Sequence, residues 1–268
     1  MQIKVARCSG FCFGVRRAIN IARKALRDLK RGEDIYSLGH IIHNPQVVEE
    51  LSKKGLRVIG NVNSIKKGAV IISSHGAPIK VIELIKRKKI RLIDATCPFV
   101  KYAHEIVRGL KKMGYSIAVV GDKAHPEVKA LMSIAGSQRY SKKIGIISQT
   151  TQNKDNYIKE IIELLKEDFS EARIFNTICK DTFIRQSLTR VLLKECDLML
   201  IVGGRNSANT KRLWQICKES GVDSFHIETD TELRENWFYN RRCVGITSGA
   251  STPQAMVKKV TEKVRTYR

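Results

Sequence analysis

Residues 198–207 read Leu-Met-Leu-Ile-Val-Gly-Gly-Arg-Asn-Ser. Five unbroken apolar residues make one strand length, two glycines end it, and an amphipathic stretch over 208–220 follows. A run without polar alternation predicts a strand covered on both faces, as in a parallel sheet. The same construction returns at 69–76 (AVIISSHG) and at 116–126 (SIAVVGDKAHP). Working outward, strands are expected at 2–5, 69–73, 91–93, 116–120, 144–147, 197–202, 223–227 and 243–247. Helices are expected at 15–29, 98–113, 152–166, 182–194, 208–220 and 253–266. Strand followed by helix throughout predicts an α/β fold with mainly parallel sheets. In such folds ligands bind beyond the carboxyl ends of the strands.

Three cysteines stand in those loops: Cys12 in SGFCFGV, Cys97 in DATCPFV and Cys179 in NTICKDTFIRQ. Their intervals are nearly equal, which predicts three similar units of 13–97, 98–180 and 181–268, the last joined by residues 1–12. Thiolates are the soft ligands that iron–sulfur clusters select. Three of them converging on one cluster would leave one iron without a protein ligand. Cys196, Cys217 and Cys243 lie in apolar-periodic stretches and read as core. Cys8 and Cys12 form C-x3-C without the further cysteine of a radical triad, and no C-x2-C pair suggests a zinc ribbon.

Composition narrows the class. With 268 residues, 43% of them hydrophobic, the chain can bury a substantial core. Seven scattered cysteines are no disulfide framework and fit a reducing cytoplasm. The start MQIKVARCSG has no secretory apolar region, and no run is long enough to span a membrane. The net charge of +23 is spread over ARKALRDLKR, IKRKKIR, RGLKKMG and KKVTEKVR, as expected for solvated faces. G-x4-GK[ST], G-x-G-x-x-G and H-E-x-x-H are absent, so ATP hydrolysis, Rossmann dinucleotide binding and zincin chemistry lack support.

The remaining loop residues suit an anion. His43 in IHNP, His75 in SHG, His125 in AHPE, and Ser207 and Asn209 in NSAN offer imidazole, hydroxyl and amide donors near helix starts. The same histidines could instead ligate zinc. A hydroxyl of Ser148–Thr151 is expected to cap the following helix or else to face a ligand. Ser251 or Thr252 is expected to cap the helix with Pro253 in its first turn, where the same geometry would suit an anion. Glu127 is the best-placed carboxyl for proton transfer, or else a helix-start acid stabilised by the dipole.

GFCFGV, IIHN, SSHG, DATCP, HPEV, SQTT, NTIC-x2-T-x2-RQ, NSAN-x3-L and GAS-x-P, in this order over essentially the whole chain, resemble the LytB/IspH family of the methylerythritol phosphate route. The resemblance implies a trefoil of three α/β units around a central [4Fe–4S] cluster. Its ligands would be Cys12, Cys97 and Cys179, with one iron open to substrate. It implies reductive dehydroxylation of (E)-4-hydroxy-3-methylbut-2-enyl diphosphate to isopentenyl and dimethylallyl diphosphates. His43, His75, His125, Ser207, Asn209 and Ser251 would line the diphosphate site. Glu127 would be the proton source, and Thr150 would position the substrate hydroxyl and relay protons. Electrons would come from an acidic ferredoxin or flavodoxin, whose docking the basic surface would aid. Three positions depart from the usual family pattern: Ala208 replaces a frequent second Ser, Phe13 a small residue, and the +23 charge is no family hallmark.

Two other readings make different demands. A basic module for RNA or another anion would hold its cysteines as structure. Eight Phe and seven Tyr without an aromatic run leave little to stack bases, so nucleic acid is not expected. A zinc hydrolase built on the histidines would be colourless and lost to chelation.

Overall fold

The structure is a computed structural model and describes residues 1–29, 33–136 and 140–267. Lys30 and Arg31, the end of one basic run, and Arg268, the end of the third expected segment, lie outside the described residues. In chain order the elements are β1 (Gln2–Val5), α1 (Phe13–Arg27), β2 (Ile35–Leu38), α2 (Pro45–Lys53), β3 (Leu56–Ile59), β4 (Ala69–Ile72), α3 (Ile79–Arg87), β5 (Arg91–Asp94) and α4 (Pro98–Lys112). Then follow β6 (Ser116–Val120), α5 (Pro126–Ala135), β7 (Lys143–Ser148), α6 (Lys154–Leu164), β8 (Glu171–Phe175), α7 (Lys180–Leu193), β9 (Leu198–Val202), α8 (Ala208–Glu219), β10 (Asp223–Ile227), β11 (Cys243–Ser248) and α9 (Gln254–Thr266). Among the described residues no helix is long and apolar enough to cross a membrane.

The strands form three parallel sheets, ordered β1-β11-β9-β10, β3-β2-β4-β5 and β6-β7-β8. The chain gathers into two compact units. One comprises Met1–Cys12, His43–Pro45 and Cys179–Arg268; the other comprises Phe13–Ile42 and Gln46–Ile178 and holds two of the sheets.

In the first unit the stretch 198–202 behaves as its composition requires, with all five residues buried. Leu198, Leu200 and Val202 pack with Val257, Val260 and Val264 of α9, while Met199 and Ile201 pack with Leu213 and Cys217 of α8. Each such buried aliphatic side chain contributes about 1.5–3 kcal/mol. In the second unit β6 and β7 also have two covered faces. Ile117 and Ile147 meet Val107, Leu110 and Leu131 of α4 and α5, whereas Ala118, Ile144 and Ile146 meet Tyr157 of α6. The burial of Cys196, Cys217 and Cys243 agrees with their reading as core.

Three strands and three helices have no counterpart among the sequence expectations. β3 (LRVI) and β8 (EARIF) are sheet edges with exposed central residues, so neither carries a continuous apolar run. β2 (IYSL) alternates buried and half-buried residues over only four positions. The helices α2, α3 and α5 have 9, 9 and 10 residues, too short for a strong periodic signal.

Candidate functional site

The second unit presents His75, Cys97, His125 and Thr150 just beyond the carboxyl ends of β4, β5, β6 and β7. Glu127 occupies the first turn of α5 and is 1% exposed. The Thr150 N–H donates to its Oε1 at 2.6 Å, and the Thr150 hydroxyl donates to its Oε2 at 2.9 Å. Burial pushes the carboxyl pKa up to about 7, outweighing both Thr150 bonds, which favour the anion. Glu127 is therefore no exposed helix-start acid. Burial leaves its proton affinity near neutrality, the range that proton transfer at ordinary pH requires.

His125 heads the same helix, its Nδ1 accepting from the Glu127 N–H at 3.2 Å. An accepting Nδ1 leaves the ring proton of the neutral imidazole on Nε2, which can donate to a ligand. The ring of His75 meets that of His125 edge-on, with centroids 5.1 Å apart. Gly76 follows at φ +81, and a Cβ there would lie 3.0 Å from His104 Cε1. The turn carrying His75 therefore requires glycine next in the chain.

Cys97 is the N-cap of α4, with Pro98 in the first turn. Burial raises its thiol pKa, the Phe99 and Val100 amides pull it down, the Glu127 charge adds to the rise and Arg17 opposes it. The preceding turn is braced twice. Arg17 Nη1 donates to the Thr96 carbonyl at 3.1 Å, and Asp94 Oδ1 accepts from the Thr96 N–H at 2.9 Å. Burial works against the Asp94 anion, yet Lys101 and Thr96 together hold its pKa below the usual range.

The first unit carries the other candidates. Cys12 donates its N–H to the Ala250 carbonyl at 3.0 Å, and Cys179 is the N-cap of α7. Arg185 of α7, 2% exposed, binds their surroundings together. Its Nε donates to Asp181 Oδ2 at 2.7 Å, Nη1 to the carbonyls of Cys8 at 2.8 Å and Ser248 at 3.1 Å, and Nη2 to the Gly10 carbonyl at 2.8 Å. One guanidinium thus ties the segment leading to Cys12, the end of β11 and the helix headed by Cys179. The RQ pair was legible as a motif, but a role for Arg185 was not.

Ser207 caps α8, its Oγ accepting from the Thr210 N–H at 3.3 Å. Asn209 is 3% exposed, and neither polar atom of its amide has a partner among the described residues. Buried polar groups are almost always satisfied, so this amide is suited to receive a ligand or ordered water. Ser251 Oγ donates to the His43 carbonyl at 3.0 Å. Ala208 supplies the first residue of α8, and Phe13 opens α1 with 63% of its surface exposed.

Two capping expectations fail. Helix α6 begins at Lys154 and is capped by Asn153, whose Oδ1 accepts from the Asp155 N–H at 2.8 Å; the Thr150 hydroxyl serves Glu127 instead. Helix α9 has Pro253 at its N-cap and no side-chain cap, because Ser251 bonds the His43 carbonyl and Thr252 the Val202 carbonyl. In both places a buried acceptor competes better than a helix end.

The thiols fit a soft metal cluster. Cys12, Cys97 and Cys179 are partly exposed and none is in a disulfide, and Cys97 and Cys179 stand at helix N-termini. A model of the LytB protein family matches residues 3–265. The chain is 45% identical to the 4-hydroxy-3-methylbut-2-enyl diphosphate reductase of Syntrophotalea carbinolica, covering 98% of both chains. It is 43% identical to that of Geobacter metallireducens, covering 99% of this chain and 97% of the relative. A solved structure of (E)-4-hydroxy-3-methyl-but-2-enyl diphosphate reductase, the terminal enzyme of the non-mevalonate pathway, matches with a TM-score of 0.70 and 37% identity over 99% of this chain and 100% of its own. The Plasmodium falciparum reductase structure matches with a TM-score of 0.90 and 29% identity over 97% of this chain and 87% of its own. Ordered motifs, parallel α/β sheets and full-length similarity thus agree, and the chain belongs to the LytB family of 4-hydroxy-3-methylbut-2-enyl diphosphate reductases.

Proposed function

We propose that this chain reductively dehydroxylates (E)-4-hydroxy-3-methylbut-2-enyl diphosphate to isopentenyl and dimethylallyl diphosphates. A [4Fe–4S] cluster held by Cys12, Cys97 and Cys179 belongs to this reading. When bound, it supplies electrons and a Lewis-acidic iron, which side chains do not. The division into segments 13–97, 98–180 and 181–268 with 1–12 belongs to it as well.

The observation that carries the reading is the buried Glu127 carboxyl, held by two hydrogen bonds from Thr150, where burial pushes its pKa up to about 7. Replacing an allylic hydroxyl by hydrogen takes two electrons and two protons and releases water. Glu127 holds a proton at its carboxyl oxygen, and the Thr150 hydroxyl, 2.9 Å away, can pass it on and orient the substrate hydroxyl. His43, His75 and His125 offer ring N–H groups to the diphosphate, Ser207 a hydroxyl and Asn209 an amide, and Ser251 lines the site while its hydroxyl holds the His43 carbonyl. The open amide of Asn209 supports an anionic oxygen ligand there. An acidic ferredoxin or flavodoxin would deliver electrons to the basic chain, and its reduction rates should fall as salt rises. The reducing cytoplasm, which keeps thiols free, is the fitting compartment.

Anaerobically purified protein tests the reading, with iron and sulfide assayed beside turnover of the allylic diphosphate. Brown protein approaching four irons per chain that forms both products is expected. Protein that stays colourless and iron-free after anaerobic reconstitution would overturn it.

A further inference from the structure

Two cysteines outside this chemistry meet in the first unit. Cys196 follows α7, and Cys243 opens β11. Both are free and 6% exposed, yet their Sγ atoms lie 2.9 Å apart. A disulfide sets the same atoms about 2.05 Å apart, so closure needs less than the width of an atom.

The surroundings hold the pair in place. Asp197 donates its N–H to the Cys243 carbonyl at 3.1 Å, while its carboxylate accepts from the N–H groups of Cys243 at 3.0 Å and Arg242 at 2.9 Å. Cys243 is thus clamped to the residue next to Cys196. On β11, Gly245 leaves space that Met199 and Cys196 share, since a Cβ there would clash with the Met199 sulfur and come within 3.2 Å of the Cys196 sulfur. Lys4 pairs with Glu195 at 2.9 Å, and its ammonium favours the thiolate of Cys196.

We infer that Cys196 and Cys243 form an oxidisable dithiol, a modification site that takes a small two-electron oxidant of the peroxide class and closes to an intramolecular disulfide. One thiolate attacks the peroxide O–O bond, becoming a sulfenic acid and releasing hydroxide, which takes up a proton to give water. The second sulfur attacks the sulfenic sulfur, the S–S bond forms, and a second water leaves. Two thiols and one hydrogen peroxide thus give one disulfide and two waters, the sulfurs supplying both electrons. The bond would staple the approach to β9 to the start of β11, at the amino ends of these strands. The inference does not depend on the proposed reaction. Burial pushes the Cys196 pKa up to about 12, so closure should quicken as pH rises.

The test treats the full-length, cluster-loaded protein with dilute hydrogen peroxide, alkylates it under denaturing conditions and maps its peptides without reduction. The expected result is one linked pair joining Cys196 to Cys243, lighter by two hydrogens than the separate thiols, and abolished by a thiol reductant. A raised melting temperature that reverts on reduction should accompany it. Cys243→Ser should abolish the linked peptide; if that variant misfolds, Cys196→Ala serves equally, and the wild-type map stands alone. Full separate alkylation of both cysteines after oxidation would overturn the inference. So would linkage of Cys196 to any other cysteine.

Discussion

The two ends of the parallel strands, compared within each unit, are built from different materials. The carboxyl ends collect buried polar residues: Ser74, Thr96, Gln149 and Thr150 in one unit, Ser248, Ser251 and Thr252 in the other. The amino ends carry exposed ion pairs such as Asp34–Arg57, Lys143–Glu171 and Asp197–Arg242. Desolvating polar groups is costly unless each finds a partner, whereas an exposed ion pair contributes little. The carboxyl ends therefore hold strong, specific interactions available for chemistry. The amino ends are solvated and tolerant. The cysteines divide the opposite way: Cys12, Cys97 and Cys179 lie partly open past strand ends, while Cys196 and Cys243 are buried exceptions at the otherwise solvated strand beginnings.

Substitutions can break this contrast, and the largest effect is expected at Cys97. Cys97→Ser should lower iron per chain and abolish turnover, measured on anaerobically reconstituted protein; a full iron complement with normal turnover would remove Cys97 from the ligand set. Glu127→Gln comes next. Its amide can keep both Thr150 contacts, so iron content should hold while turnover falls by about 10²–10⁴-fold.

The titration of Glu127 sharpens the same point. Its folded pKa of about 7 exceeds its ordinary value of 4.5, so the folded chain binds the proton more tightly than the unfolded chain. This group's contribution is full below pH 4.5, is lost as pH rises towards 7, and is level above that. The loss is on the order of 3 kcal/mol. Denaturant melts from pH 4 to 8 should show that component in the wild type and lack it in Glu127→Gln. Turnover should decline as pH climbs past about 7, where the acid loses its proton.

Arg185 offers an intermediate case. Arg185→Met strands three carbonyls and the Asp181 carboxylate, and should cost about 3–5 kcal/mol in a urea melt. It should also release iron faster than the wild type. Arg185→Lys should recover little of either, because one ammonium cannot reproduce the guanidinium fork. At the amino end, Arg242→Ala should change stability by no more than about 0.5 kcal/mol and leave turnover intact, since that side chain is 94% exposed. A larger loss there would erase the contrast between the two ends.

Much of this was legible in the chain because the signals are local. The apolar runs at 69–72, 116–120 and 198–202 are strands, and the loops after them carry His75, His125 and Ser207. Edge strands β3 and β8 escaped because an edge needs no two-sided apolar run. The capping hydroxyls were misassigned for a related reason. A cap is a neighbour in sequence, but Thr150 bonds Glu127 across 23 residues and Ser251 bonds His43 across 208.

By itself the sequence determined the α/β class, the family, and the ordered set of cysteines, histidines and acids on which the proposed chemistry rests, because residue identity and periodicity are properties of short stretches. Only the tertiary structure decided that Glu127 is sealed from water, that Arg185 ties three segments together, and that Cys196 touches Cys243. Burial and contact arise from residues distant in the chain, and they set a carboxyl's proton affinity and a thiol's neighbour.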